Sequence, residues 1–221
     1  MSEYDTEPVP GLPQNLPEGE TLLWQGSPEP KAVARQVLHT KAVTIYFAVL
    51  ALVPLVICAA QGSELAPALF ATARLAIVGA IAIAILNTLS RAIARTTIYS
   101  MTSKRIVMRY GVAFPLSLNI PFKEISAIDC KSYADGTADV ALSVSGPLRM
   151  SYLHLWPHCR AWRFENAQPT LRVLPAGTEI AQTIASTMMA AGVQGAQVRT
   201  RASAQPEKQQ NGMPILTSAP A

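Results

Sequence analysis

Hydrophobic and polar positions change rhythm along this chain, and each rhythm predicts a different kind of element. Residues 42–60, AVTIYFAVLALVPLVICAA, run 19 residues without a charge. About 20 apolar residues are needed to cross a hydrocarbon core about 30 Å thick. A short connector, residues 61–64, leads to a second apolar stretch over residues 65–89, interrupted only by Arg74. Together they predict a transmembrane helical hairpin, residues 42–90, with spans at about 42–60 and 66–89. Pro54 lies inside the first span, where neighbouring groups in a membrane re-satisfy the backbone that proline disrupts. Arg74 leaves two readings open: it lies near the far interface and snorkels, or it turns to a partner.

From residue 96 the rhythm shortens to β-type runs: TTIYSM, RIVMRYGV, LSLNIPF, ISAIDCKSY, DVALSVSG, LRMSYLHL and TLRVLP, about seven strands. The alternation Val140, Leu142, Val144 marks a strand with one buried face, and Asp135-Gly136 and Gly146-Pro147 supply turns. A helix is predicted over residues 178–191, with Ile180, Ile184 and Met188 on one stripe and Gly192 at its stop. Its stripe would cover an open end of a small β-barrel. The fold class is therefore α+β, a two-helix membrane hairpin followed by a barrel with a C-terminal capping helix.

The flanks are read from composition. Residues 1–41 form an acidic, proline-rich arm, expected to be extended because prolines at 8, 10, 13, 17, 28 and 30 prevent helix. Residues 95–193 form the sheet domain, and residues 194–221, rich in Gln, Ala, Ser and Pro, are expected to be a disordered tail.

Charge adds a direction. Lys31, Arg35 and Lys41 precede the first span, Arg91, Arg95, Lys104 and Arg105 follow the second, and the connector carries only Glu64. By the positive-inside rule both termini face the cytoplasm. The net charge of +4 hides six acids and no Lys or Arg in residues 1–30. The basic residues flank apolar runs and do not interleave with aromatics, which argues against a nucleic-acid partner and for anionic lipid.

The segment Thr97-Ile-Tyr99-Ser-Met-Thr102-Ser-Lys-Arg105-Ile-Val-Met-Arg-Tyr-Gly111, after a hairpin, resembles the bacterial pleckstrin-homology-like (PH-like) domain family, in which a strand ending in Thr-x-x-Arg leads to one closed by Gly. Ile120-Pro121-Phe122-Lys123-Glu124-Ile125-Ser-Ala-Ile128-Asp129 is similar to that family's following strand and turn. So is the acidic opening Leu16-Pro-Glu18-Gly19-Glu20-Thr-Leu-Leu-Trp24-Gln25-Gly26. As a series, over roughly residues 8–193, these motifs resemble the photosynthetic-complex assembly proteins of purple bacteria. The resemblance implies residence in the bacterial inner (intracytoplasmic) membrane, reaction-centre and core-antenna subunits as partners beside membrane lipids, and no catalytic residues. A homodimer is left open.

Nothing in the motifs argues for chemistry. Nucleophile elbow, P-loop, HExxH and GxGxxG are absent, so an enzyme is not expected, and neither is a cofactor or a metal. Cys58, Cys130 and Cys159 are too scattered for a zinc site. His39, His154 and His158 are read as structural or solvated. A (bacterio)chlorophyll or haem carrier is the remotest of the readings considered. The most unusual stretch is Leu155-Trp156-Pro-His-Cys-Arg160-Ala-Trp162-Arg163-Phe164, since Trp and Arg are enriched at interface hot spots and membrane interfaces. Arg74, Trp156, Arg160, Trp162 and Arg163 are the candidate partner-binding residues. Lys104, Arg105 and Arg109 are the candidates for a rival function, anionic-lipid binding.

Overall fold

The computed structural model describes residues 11–12, 15–145, 151–160, 167–193 and 197–202. Two long apolar helices form a hairpin. The first, α2 (Thr40–Gln61), carries Pro54 within it, and Gly62 ends it in the left-handed conformation (φ 61°), its N–H bonded to the Cys58 carbonyl. The second, α3 (Leu65–Thr96), overruns the predicted span by two turns and passes through Thr97 directly into the sheet domain. Both helices are long and apolar enough to cross a membrane, and only 11% and 6% of their most apolar stretches are buried. They are therefore not core helices of the domain. Their outer surfaces expose Val56, Phe70, Ile77 and Ile85 among others.

The sheet domain holds two four-stranded sheets, and they do not close into the expected barrel. The first runs in the order β1 (Leu22–Gly26), β2 (Ile98–Thr102), β3 (Arg105–Tyr110), β4 (Leu116–Pro121). The second runs β7 (Thr170–Pro175), β6 (Thr137–Val144), β5 (Ile125–Ser132), β8 (Gln197–Ala202). β4 and β5 are joined by a single 3-10 turn, Phe122–Glu124, and end in different sheets. Their inner faces share one core, in which Tyr99, Met108 and Ile120 from the first sheet pack with Ile128, Leu142 and Leu171 from the second. Helix α5 (Gly177–Ala190) lies within a residue of its predicted bounds and adds Ile184 and Met188 to that core.

Three further expectations need correction. The N-terminal arm is not merely extended: it supplies the edge strand β1 and then α1 (Pro30–Ala32), which continues as a wider π-helical turn, Val33–Val37. Its acidic residue Glu20 is bound to Arg105 by two hydrogen bonds, 2.8 and 3.1 Å. The run at 148–155 is no strand where it is described, because Tyr152–Leu155 forms a helical turn, α4, that carries Leu155 into the core. Of the tail expected to be disordered, Gln197–Ala202 form β8, paired in parallel with β5, and residues 203–221 lie outside the described residues. The composition of β8 conceals it: Val198 and Thr200 alternate with Arg199 and Arg201, and edge strands commonly carry charge.

A second, smaller cluster joins hairpin to domain. Ala32 and Val33 from the arm, Ile93 from α3 and Val173 from β7 are all buried against one another. Val173 has φ 43°, uncommon for a β-branched residue. Its N–H is held by Asp139 Oδ1 at 2.8 Å, and its carbonyl accepts the Glu29 N–H at 3.1 Å. The strained backbone turns Val173 away from the main core and into the joint.

Candidate functional site: the hairpin and its junction with the sheet domain

The helices of the hairpin touch where Gly79 faces Phe47. A Cβ placed on Gly79 would lie 2.8 Å from the Phe47 Cβ, so the missing side chain is what lets the ring approach. From that contact, five residues back along α3 and five forward along α2 bring Arg74 level with Leu52. Arg74 is exposed on α3, and at 1.5 Å per residue it lies about 16 Å from the hairpin tip near Ser63. It therefore sits about halfway along the hairpin and not near its far end. Among the described residues no carboxylate pairs with it.

At the other end, a buried hydrogen-bonded group fixes α3 to the domain. Tyr99 Oη accepts the backbone N–H of Arg172 at 3.2 Å and lies 2.7 Å from His158 Nδ1. The other ring nitrogen, Nε2, lies 3.2 Å from Thr97 Oγ1, so the neutral ring bridges the two hydroxyls, one nitrogen donating and the other accepting. Burial, aided by the charge of Arg172, drives the His158 pKa down to about 3, so the ring is neutral at physiological pH. Burial likewise pushes the Tyr99 hydroxyl up. Thr97 is the residue between α3 and β2, so this group sets the angle at which the helix enters the sheet. His158 is thus structural, as expected from its sequence surroundings. His39 and His154 are exposed.

The aromatic and arginine segment divides. Trp156 is half exposed beside the last turns of α3, and it lines a small cavity of ≈ 150 Å³ with Leu89, Ile93 and Val112. Arg160 points elsewhere, to Asp129 (2.5 Å) and Gln168 (3.1 Å) on the outer face of the second sheet. Trp162 and Arg163 lie outside the described residues. The lipid candidates are not gathered either. Lys104 is exposed in the β2–β3 turn, at the end of β2 remote from α3, and its neighbour Arg105 is taken up by Glu20. Burial raises the Glu20 carboxyl, but hydrogen bonds from Thr102 and Arg105 and the charges of Arg105 and Lys104 outweigh it and hold the group below its usual range. Arg109 is buried at the opposite end of β3, across from Ile98.

Sequence reasoning missed a cleft of ≈ 510 Å³ on the outer face of the second sheet, walled on one side by Gln36 and His39 just ahead of α2. Asp139 organises its floor. It accepts the Tyr133 hydroxyl (2.7 Å), Arg172 Nη1 (2.7 Å) and the Val173 N–H. Burial, with the nearby Asp139 charge, raises the Tyr133 hydroxyl strongly. The only available signal was the alternation of Asp129, Lys131 and Tyr133, polar positions opposite the core-facing Ile128 and Cys130.

The sequence profile of the bacterial PH domain matches residues 41–188. A protein of Rhodobacter capsulatus, described as an uncharacterized 23.7 kDa protein in the puhA 5' region, is 33% identical over 190 residues, 85% of this chain and 88% of its own length. No solved structure matches.

Proposed function

We propose that this chain, which belongs to the bacterial PH domain family, is a non-catalytic membrane assembly factor for the photosynthetic reaction centre and its core light-harvesting complex. The observation that carries the reading is the relative in the 5' region of puhA, a reaction-centre gene, similar along most of both chains. The hairpin crosses the bacterial inner membrane, with both termini cytoplasmic.

Arg74 is the contact that the structure supports best on the partner side. A 30 Å hydrocarbon core places a residue halfway along the hairpin near the bilayer centre, where an arginine facing lipid costs about 2.5–3.5 kcal/mol on the insertion scale. A carboxylate or a set of carbonyls on a neighbouring subunit's helix would offset the cost. Trp156 and Val112, beside the point where α3 leaves the bilayer, add a second contact at headgroup depth.

The test is recovery of partners. A tagged chain, taken from gently solubilised membranes of photosynthetically grown cells, should bring down reaction-centre and core-antenna subunits. An Arg74→Leu chain inserted at the same level should bring down markedly less. Recovery of neither set of subunits by the unaltered chain would overturn the proposal.

A further inference from the structure

The cleft on the outer face of the second sheet has a charge pattern that the assembly reading leaves unused. Five cations face it, Lys131, Arg160, Arg172, Arg199 and Arg201, against two carboxylates, Asp129 and Asp139. Both carboxylates are already engaged, Asp129 with Arg160 at 2.5 Å and Asp139 with Arg172 at 2.7 Å. Among the described residues, Lys131, Arg199 and Arg201 have no carboxylate partner.

Register makes this surplus specific. In the parallel pairing of β5 with β8, Arg201 lies directly across from Lys131 and Arg199 across from Asp129. Neighbouring strands are about 4.8 Å apart, and like charges placed opposite each other destabilise a sheet. An anion bridging Lys131 and Arg201 removes that repulsion. The guanidinium fork also fits phosphate oxygens two at a time. The cleft volume of ≈ 510 Å³ accommodates a headgroup-sized ligand.

Position selects the source of the phosphate. His39 immediately precedes α2, and the β5–β6 turn is held to the same arm segment by the Arg35–Asp135 ion pair at 3.7 Å. The end of the cleft carrying Lys131 and Arg201 therefore lies where the hairpin meets the membrane surface. We propose that this cleft binds the phosphate of an anionic membrane-lipid headgroup. It is distinct from the Lys104 turn, and it rests on the hairpin's lying in the bilayer, not on the identity of the protein partners.

The experiment uses the full chain in mild detergent, with phosphatidylglycerol, phosphatidylcholine or inorganic phosphate added, and reads bound lipid by native mass spectrometry. The unaltered chain should retain phosphatidylglycerol in preference to phosphatidylcholine, and millimolar inorganic phosphate should not displace it. Removing two cations in Arg199→Gln/Arg201→Gln should weaken retention about 30-fold. Lys131→Gln alone should weaken it about fivefold, and it keeps the test decisive if the double variant folds poorly. Lys123→Gln, at the other end of β5, should change nothing. Equal retention of the two lipids, retention unchanged in the cleft variants, or displacement by inorganic phosphate would each overturn the proposal. Carbonate extraction of the same membranes reports anchoring separately, so a failure of the hairpin reading is told apart from a failure of the cleft.

Discussion

The carboxylate of Asp139 on β6 receives the backbone N–H of Val173 on β7 at 2.8 Å, at a residue whose φ is 43°. Left-handed backbone at a valine costs on the order of 1–3 kcal/mol and persists only where its surroundings enforce it. Here the enforcement is double: the carboxylate holds the N–H from within the sheet, and Ala32, Val33 and Ile93 bury the side chain from without. The bulged strand is thereby one joint between the hairpin and the sheet domain, beside the direct passage of α3 into β2.

Asp139→Ala should therefore destabilise the domain by about 3 kcal/mol, because it leaves Arg172 uncompensated in a nearly buried site as well as freeing the bulge. Asp139→Asn keeps an acceptor for the Val173 N–H and should cost less. Thermal unfolding of the full chain in detergent checks the order. Equal midpoints for the two variants would contradict the account.

His158 sets a pH dependence. Its folded pKa of about 3 lies below the ordinary value of 6.5. The unfolded chain therefore binds a proton that the folded chain refuses. Stability from this group is fully present above about pH 6.5 and is lost as pH falls toward 3, by about 1 kcal/mol per pH unit within that window. His158→Gln should lose stability at neutral pH and show a shallower decline between pH 6 and pH 4. Denaturant titrations at the two pH values compare the slopes, and parallel slopes would contradict a buried neutral ring.

The hairpin, the order of six of the strands and α5 were legible in the sequence because period and length define them locally. The two sheets were not, since nothing local separates a closed barrel from two sheets when β4 runs through three residues into β5. β1 and β8 escaped for a related reason. Each is an edge strand whose pairing is fixed by a distant partner, Met101 for Trp24 and Ile128 for Val198, and neither carries a continuous apolar face. Arg74 was recognised, but its place halfway along the hairpin was not, because only the Gly79–Phe47 contact aligns the two helices. The lipid candidates show the opposite limit: Lys104, Arg105 and Arg109 are close in sequence, yet Arg109 lies at the opposite end of β3 from the turn.

The β8 pairing makes a prediction of its own. Ending the chain after Val193 exposes the β5 edge along six paired positions, Ala127 to Ser132. Truncation there should lower the unfolding midpoint by several degrees and increase aggregation of the solubilised protein. A midpoint unchanged from the full chain would contradict the structural role of this strand.

Arg74 separates insertion from assembly. Arg74→Leu removes a charge from the span and should insert at least as well, while the yield of reaction-centre complex falls. Arg74→Lys, lacking the planar fork, should rescue only part of that yield. Immunoblots of the membrane fraction with absorbance of the assembled complex give both quantities. Full complex yield in Arg74→Leu would contradict a partner at that depth.

The most direct test of the assembly role is the amount of reaction-centre and core-antenna complex in membranes of a strain from which this gene has been deleted, measured by absorbance per cell. An assembly role predicts a reduced amount of complex, with pigment synthesis intact, an unshifted spectrum for whatever complex forms, and recovery when the gene is restored. Core complexes at the parental level in the deletion strain would contradict it.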